Sequence, residues 1–533
     1  MAMPPQADAG PGDKVLSRLA APGPWPAISG LIAFDGAIWF ANGNPDKPFN
    51  AADIYRYDPA TGLTRYEHGL FTQGVGAPTV HGGRLYWPYA DPRSNAAVGE
   101  FALTDGENWQ WHIMSEATSL HSPAMAGCGE VVMAVSHGWE AALQASPDGL
   151  GKWREVYRLP DNKNGENRIA ALIPFGASCV FSVVGSQPGT ERIYQWTAEG
   201  PKALEGWPEG AGAVELAVFQ GDLIGFDNSE AEPILWRHDG KRARRLPVPP
   251  QGEIKGITGA SSRLVAITTD SQGGALWSWE DNRGWTRLQG FVGETPADLL
   301  AIGDDIYVGT RSANGRGVLW GPKQPAQIRP GPAARALENP PHTPITEQAL
   351  ETSLRTLEPT LSMKSDYMTF RSGLFSIAMP VALTHDHMVG HFLSKRARRP
   401  LPAGEMETFT KHVYSNEQLS RWLLLYMAAI NGFGYLPVEW LALPWTAQPR
   451  DSEKYFETLV LAIWAVARFG QKDLPTIEAL ITLLDRAGDP PWIHGDAVAS
   501  LTALTGQHFG HDTAAWRSWW QKARTTWAQN NGQ

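Results

Sequence analysis

Between Leu31 and Val308 one pattern recurs: a short apolar run, a Gly-rich or polar turn, then a second apolar run. The turns lie at 34–39, 80–85, 127–131, 175–180, 219–223, 260–264 and 302–306. An apolar residue stands after or at the end of each turn, at Ile38, Leu85, Val131, Cys179, Leu223, Leu264 and Ile306. The steps between them are 47, 46, 48, 44, 41 and 42 residues. A second signal follows within the repeat. Ile54-Tyr55-Arg56-Tyr57 alternates, and Asp58-Pro59-Ala60-Thr61-Gly62 then turns the chain; similar strands stand at 193–196, 234–240, 275–279 and 318–321. A closing strand such as 153–159 ends the unit, and alternation gives each strand one face to pack against the next unit.

Short strands alone, repeating every forty-odd residues, mark the blades of a β-propeller. The count predicts seven blades. An open ring would leave bare sheet edges, and Lys14-Val15-Leu16-Ser17-Arg18-Leu19 resembles the closing strands. It is expected to pair with the last blade near 318–328. Residues 330–344 are rich in Pro and Ala and read as a linker. Beyond them the apolar period changes from two to about 3.6. Helices are predicted from Asn416 to Gly432, Ser452 to Gly470, about Pro475 to Gly488, Ala497 to Gly506, and onward from Asp512. The fold class expected is therefore multidomain β plus α. Its map is a tail at 1–13, a propeller at 14–330, a linker at 331–345 and an α-helical domain at 346–533.

The segments Gly488-Asp489-Pro490, Asp496 to Leu501 and Leu504 to Gly510 resemble the last units of HEAT-type helical repeats. That resemblance implies a stacked-helix docking surface and no chemistry.

Length, 533 residues, requires two or three cores. Apolar content of 43% and charge of 19% are ordinary for a folded, soluble chain. The 23 tryptophans are not ordinary. Most are expected to wedge between sheets, and a few at the rim could stack on a sugar ring. A net charge of −10 argues against nucleic acid as a partner. Two basic runs, 241–245 and 395–399, read first as solvated surface, and the second as an anion patch in the alternative. No run is long enough to span a bilayer. Met1 to Lys14 lacks a leader's basic start and apolar core. The chain is thus periplasmic or extracellular if a leader was removed, and cytoplasmic otherwise. Cys128 and Cys179, the two thiols, fall three residues out of register in neighbouring repeats. That offset weighs against a strain-free disulfide.

Three motifs carry candidate chemistry. Ser146-Pro147-Asp148-Gly149-Leu150-Gly151-Lys152-Trp153 resembles the Asp-box of sialidase-type propellers, with Leu150 where that box favours Gly. The resemblance implies a folded turn between outer strands, remote from any active centre. The strand and turn at 54–62 are similar to those of gluconolactonase-like and other lyase-like propellers, which hold a divalent cation in the channel. Asn42, Asp91, Asp227, Asn228 and Asp270 occupy comparable loop positions, though such loops are polar in any propeller. The densest cluster is Thr384-His385-Asp386-His387-Met388-Val389-Gly390-His391. His387 and His391, four apart, share one face of a helix, and His385 or Asp386 could supply a third ligand to a divalent metal such as Zn. Three histidines can equally face solvent. His121, His137, His494, His508 and His511 read as structural or surface groups.

These readings converge on a binding or scaffolding protein of bacterial type, docking a protein, a small molecule or a carbohydrate at the propeller mouth or on the helical domain. The alternative is a metal-assisted hydrolase or lyase using His385, His387 and His391, or a channel cation such as Ca.

Overall fold

Asp35 and Gly36 both take positive φ, 47° and 72°, the backbone of a tight hairpin whose twist matches its strands. Hairpins of this kind order the whole N-terminal part. The computed structural model describes residues 16–325 apart from 45–51, 93–98, 115–118, 139–140, 151–152, 160–166, 186–190, 229–232, 272 and 314. It further describes 328, 335–337, 346–352, 355, 392, 438–442, 459, 462–467, 470–486 and 491–531.

The first strand, β1, is Leu16–Ala20. Next come β2 to β5 at Ala27–Phe34, Ala37–Gly43, Ala52–Asp58 and Leu63–Leu70, then β6 to β9 at Thr79–His81, Arg84–Pro88, Glu100–Thr104 and Trp109–Ile113. A third group, β10 to β14, occupies Ser119–His121, Met125–Cys128, Val131–Gly138, Ala141–Ser146 and Arg154–Arg158. Strands β15 to β18 are Asn167–Phe175, Ser178–Gly185, Arg192–Thr197 and Gly200–Ala203. Strands β19 to β22 are Glu215–Phe219, Asp222–Asp227, Ile234–His238 and Ala243–Leu246. Strands β23 to β26 are Glu253–Gly259, Leu264–Asp270, Gly273–Glu280 and Gly284–Val292, and β27 to β29 are Thr295–Ile302, Asp305–Arg311 and Leu319–Pro322.

Consecutive strands pair antiparallel into meanders: four sheets of four strands, one of five and one of eight. The largest joins β2–β5 to β27–β29 and β1 through a single β2–β28 pairing, Ala27 with Arg311. Strand β1 pairs with β29, Leu16 opposite Pro322 and Arg18 opposite Trp320. The N-terminal strand therefore completes the last meander. It is held there by Leu16 N–H donating to Gln289 Oε1 and by Arg18, which ion-pairs with Glu294 at 2.9 Å and lies over the Trp320 ring.

The strand that opens the first tight hairpin of each group lies beside its counterpart in the next, in the order β6, β11, β15, β19, β23, β27, β2. Gly30 of β2 returns to the β6–β9 sheet, where an added Cβ would meet Trp87 at 2.9 Å and Val75 at 3.0 Å. The core sits between sheets rather than inside one. Phe101 and Met114 of one sheet pack with Met125, Val132 and Trp153 of the next, and Ile224 and Phe226 pack with Ile254 and Ile257. Trp39 meets Trp109 across such a seam at 6.2 Å, and Trp153 meets Phe101 edge-on at 5.5 Å. These tryptophans are wedges, as expected. The architecture is of β-propeller type.

One expectation is corrected. Cys128 and Cys179 form a disulfide with Cα atoms 5.2 Å apart. Cys128 precedes its hairpin turn on β11, whereas Cys179 follows its own on β16. Neighbouring hairpins lie side by side, since a Cβ on Gly129 would reach Ala177 O at 3.3 Å. The offset along the chain is consumed by the turn and the two sulfurs meet.

The chain divides into two compact units, one of residues 1–66, 72–92 and 98–337, the other of 67–71, 93–97 and 338–533. Residues 335–337, inside the Pro- and Ala-rich stretch, are bound in the first: Arg335 N–H donates to Gly83 O and Leu337 N–H to Asp105 Oδ2. The second unit contains α1 (Leu474–Leu483), α2 (Pro491–Thr505) and α3 (Thr513–Asn531). Asp473 caps α1 by accepting from Thr476 N–H, and Gly506 ends α2 at φ 68°. Trp516 of α3 is fully buried, edge-on to Phe509 at 5.0 Å. The predicted helix from Asn416 lies outside the described residues. No repeating helix pair emerges among those described, so the HEAT-like reading has no support there. No helix among them is long and apolar enough to cross a membrane.

Candidate functional site

The first strands lie at sheet edges, β2 apart from its single pairing with β28, so many of their amides face away from any ladder partner. Side chains from the preceding meander accept several of them. Ser182 Oγ accepts from Ala213 N–H at 2.8 Å, Glu215 Oε1 from Ile257 N–H at 3.3 Å, Asp298 Oδ2 from Leu31 N–H at 2.8 Å, and His137 Nε2 from Ile169 N–H at 3.2 Å. Three of these four acceptors are titratable. Burial pushes Glu215 up to about 8, with the Asp298 charge adding to it. Burial also raises Asp298, to about 6, against the N–H groups of Leu31, Leu299 and Gly30. Both carboxyls are half-buried, each accepting from a backbone amide of the neighbouring sheet.

At one end of the ring three sheets bring a polar group together. Strand β7 runs out into Asp91, which is fixed by Gln73 N–H donating to its carbonyl and by Thr72 Oγ1. Strand β10 ends at His121, and its register partner near the end of β12 is His137. Strand β15 opens on Asn167 and Arg168. His121 Nδ1 lies 2.8 Å from Ala90 O and 3.6 Å from Asp91 Oδ1. A carbonyl can only accept, so Nδ1 carries a hydrogen. His137 accepts at Nε2, which assigns its proton to Nδ1 and makes the ring neutral. Burial, reinforced by His121 and Arg168, pulls its pKa down to about 4. Asp91 is raised by burial, partly offset by His121. Arg168 is exposed and makes no ion pair among the described residues. A planar guanidinium beside two imidazoles, with one carboxylate behind them, can hold a small anion or carboxylate bidentately.

The other sequence candidates fare differently. His385, Asp386, His387 and His391 lie outside the described residues. Asn42 is buried, donating to Trp25 O and Ala27 O and accepting from Trp25 N–H. Asn228 donates to Ile254 O, Asp270 accepts from Gln251, and Asp227 is buried at the end of β20. Asn42 and Asn228 tie loops to neighbouring backbone rather than presenting a ligand sphere. Among the described residues, no three His, Cys, Asp or Glu groups are placed to hold a metal ion. The Asp-box-like segment is a folded turn. Ser146 Oγ accepts from Gly149 N–H, Asp148 Oδ1 accepts from Leu150 N–H, and Trp153 is buried beneath.

Asp91 was recognisable as a loop carboxylate, whereas His121 and His137 read as structural or surface groups and Arg168 was not singled out. A signal existed: Asp91 and His137 both stand six residues after the reference position of their repeats, Leu85 and Val131. Equal offsets place them at the same end of adjacent sheets.

No protein-family model matches the sequence, and no curated protein does. Solved structures similar to it include the β-propeller domain of a trilobed protease from Pyrococcus furiosus, 10% identical with a TM-score of 0.40, covering 57% of this chain and 99% of that one. An acylaminoacyl peptidase from Pyrococcus horikoshii is 9% identical with a TM-score of 0.40, covering 56% of this chain and 51% of its own. A putative 6-phosphogluconolactonase from Bacteroides uniformis is 11% identical with a TM-score of 0.37, covering 54% of this chain and 96% of that one. This chain thus spans about half of the peptidase. Likeness at this level does not decide what the chain binds or does.

Proposed function

We propose that this is a ligand-binding protein built on a seven-bladed propeller, with a small anionic ligand held at the mouth by Arg168, His121 and His137. The carrying observation is the convergence of Asp91, His121, His137 and Arg168 from three successive sheets. Seven first strands that neighbour one another in turn support the blade count. The propeller spans about 14–330 and a helical protein-docking domain follows from about 346. The ligand class follows from Arg168, whose fork matches a carboxylate or phosphate. Calorimetry with simple carboxylates, inorganic phosphate and a uronic acid tests it. Arg168→Ala should weaken the best of these about 10- to 100-fold, the worth of a charge-assisted hydrogen bond. Equal binding by the variant, or none by the parent to the whole panel, would sink the reading.

A metal-dependent enzyme is the second reading, resting on His387 and His391 four apart and on helical backbone at Phe392, directly after them. Untagged protein would then carry near-stoichiometric metal by elemental analysis, lost in His387→Ala and His391→Ala.

A further inference from the structure

The seam between the β11–β14 and β15–β18 sheets is latched at both ends. At the hairpin end, the Cys128–Cys179 disulfide joins β11 to β16. At the mouth end, His137 of β12 accepts from Ile169 N–H of β15. Between the latches lies apolar packing, with Met133, Val135 and Leu143 facing Ile169, Leu172 and Phe181. Apolar contact is non-directional and holds register weakly. The two latches do hold register, and they answer to different chemistry.

The disulfide yields to a dithiol reductant, which delivers two electrons and two protons, leaves two thiols and is itself oxidised to a disulfide. The hydrogen bond yields to acid. A proton on His137 Nε2 would occupy the lone pair that accepts the Ile169 hydrogen, so two donors would face each other. The groups around the ring make the new charge unwelcome. His121 faces it from β10 and Arg168 from β15, and Asp91 sits on the far side of His121, 3.6 Å from that ring's Nδ1.

We propose that this seam is a two-key latch, closed while either the disulfide or the His137–Ile169 bond is intact, and opening only when the disulfide is reduced and His137 is protonated. With the disulfide in place, loss of the histidine bond frees the mouth end alone, because the cross-link still fixes β11 against β16. With the disulfide reduced at neutral pH, the histidine bond keeps β12 against β15. When both are gone, the two bonds that tie β11 to β16 and β12 to β15 are lost together. The device stands on the seam's own contacts and not on the ligand reading above.

The buried sulfurs supply the readout. Cys128 is 6% exposed and Cys179 fully buried, so in reduced, full-length protein their reaction with a dipyridyl disulfide reports whether the seam is open. Rates are compared with those of denatured protein at the same pH. Reduced protein should protect both thiols at pH 7 and lose protection at pH 4.5 by about tenfold or more, the factor one hydrogen bond's worth of stability carries. His137→Gln keeps an acceptor oxygen near Ile169 without the titration, and it should restore protection at pH 4.5. The oxidised protein should bind no more apolar dye at pH 4.5 than at pH 7. The latch is refuted if parent and His137→Gln lose equal protection in acid, whether by seam opening or by unfolding of the whole chain. Dye uptake by the oxidised protein at pH 4.5 equal to that of the reduced protein would refute it as well.

Discussion

His137 shows how one side chain couples the mouth to the frame. Its folded pKa, about 4, lies below the ordinary histidine value of 6.5. The stability it contributes is complete above pH 6.5 and is lost as pH falls from 6.5 through 4, amounting to roughly 3 kcal/mol across that window. In urea titrations of the oxidised protein, His137→Gln should flatten the decline over that range; an unchanged slope would show that other groups carry it. Glu215 has the opposite sign. Its folded pKa is raised to about 8, so the protein is most stable with the carboxyl protonated and loses stability as pH rises from about 4.5 through 8. Glu215→Gln keeps an oxygen for Ile257 N–H and a donor in place of the acid proton. At pH 8 it should be more stable than the parent by on the order of a few kcal/mol; a less stable variant would mean that the charged carboxylate is needed.

At the scale of elements, the clearest dependence is that of the last meander on the first strand. Without β1, the edge of β29 is bare, Glu294 loses Arg18, and Trp320 loses the cation over its ring. Removing residues 1–20 should lower the melting temperature by about 5 °C or more, since a few kcal/mol move a domain of this size by several degrees; an unchanged melting curve would make the strand a passive tail. The disulfide closes a loop with a sequence separation of 51, for which chain entropy predicts about 4 kcal/mol. Chemical denaturation of Cys128→Ala/Cys179→Ala at pH 7 should show a loss of that order. Hairpins, alternating strands and the turn at 146–150 were legible beforehand because each depends on residues within a few positions. The disulfide was not legible. It depends on how two hairpins lie side by side, and an offset counted along the chain does not measure that.

Within the strand-rich unit, a ring of sheets explains why its polar chemistry collects where it does. Cores fill the seams between sheets, and acceptors from one sheet tie down amides of the next. Asp91, His121, His137 and Arg168 meet because three consecutive sheets end at the same mouth. The proposed ligand therefore tests the ring as much as the residues.

What the sequence determined by itself was periodic: the strands, their turns, the sevenfold spacing, the pairing of an N-terminal strand with the last meander and several helix ends. Those follow from hydrophobic period and turn chemistry, which act locally. Only the tertiary structure decided which periodic positions become neighbours. It joined Cys128 to Cys179, drew two apparently scattered histidines to one arginine, and gave Glu215 and Asp298 their raised pKa values through burial. Proximity across sheets and the desolvation it brings are properties of the closed ring, and no single stretch of chain contains them.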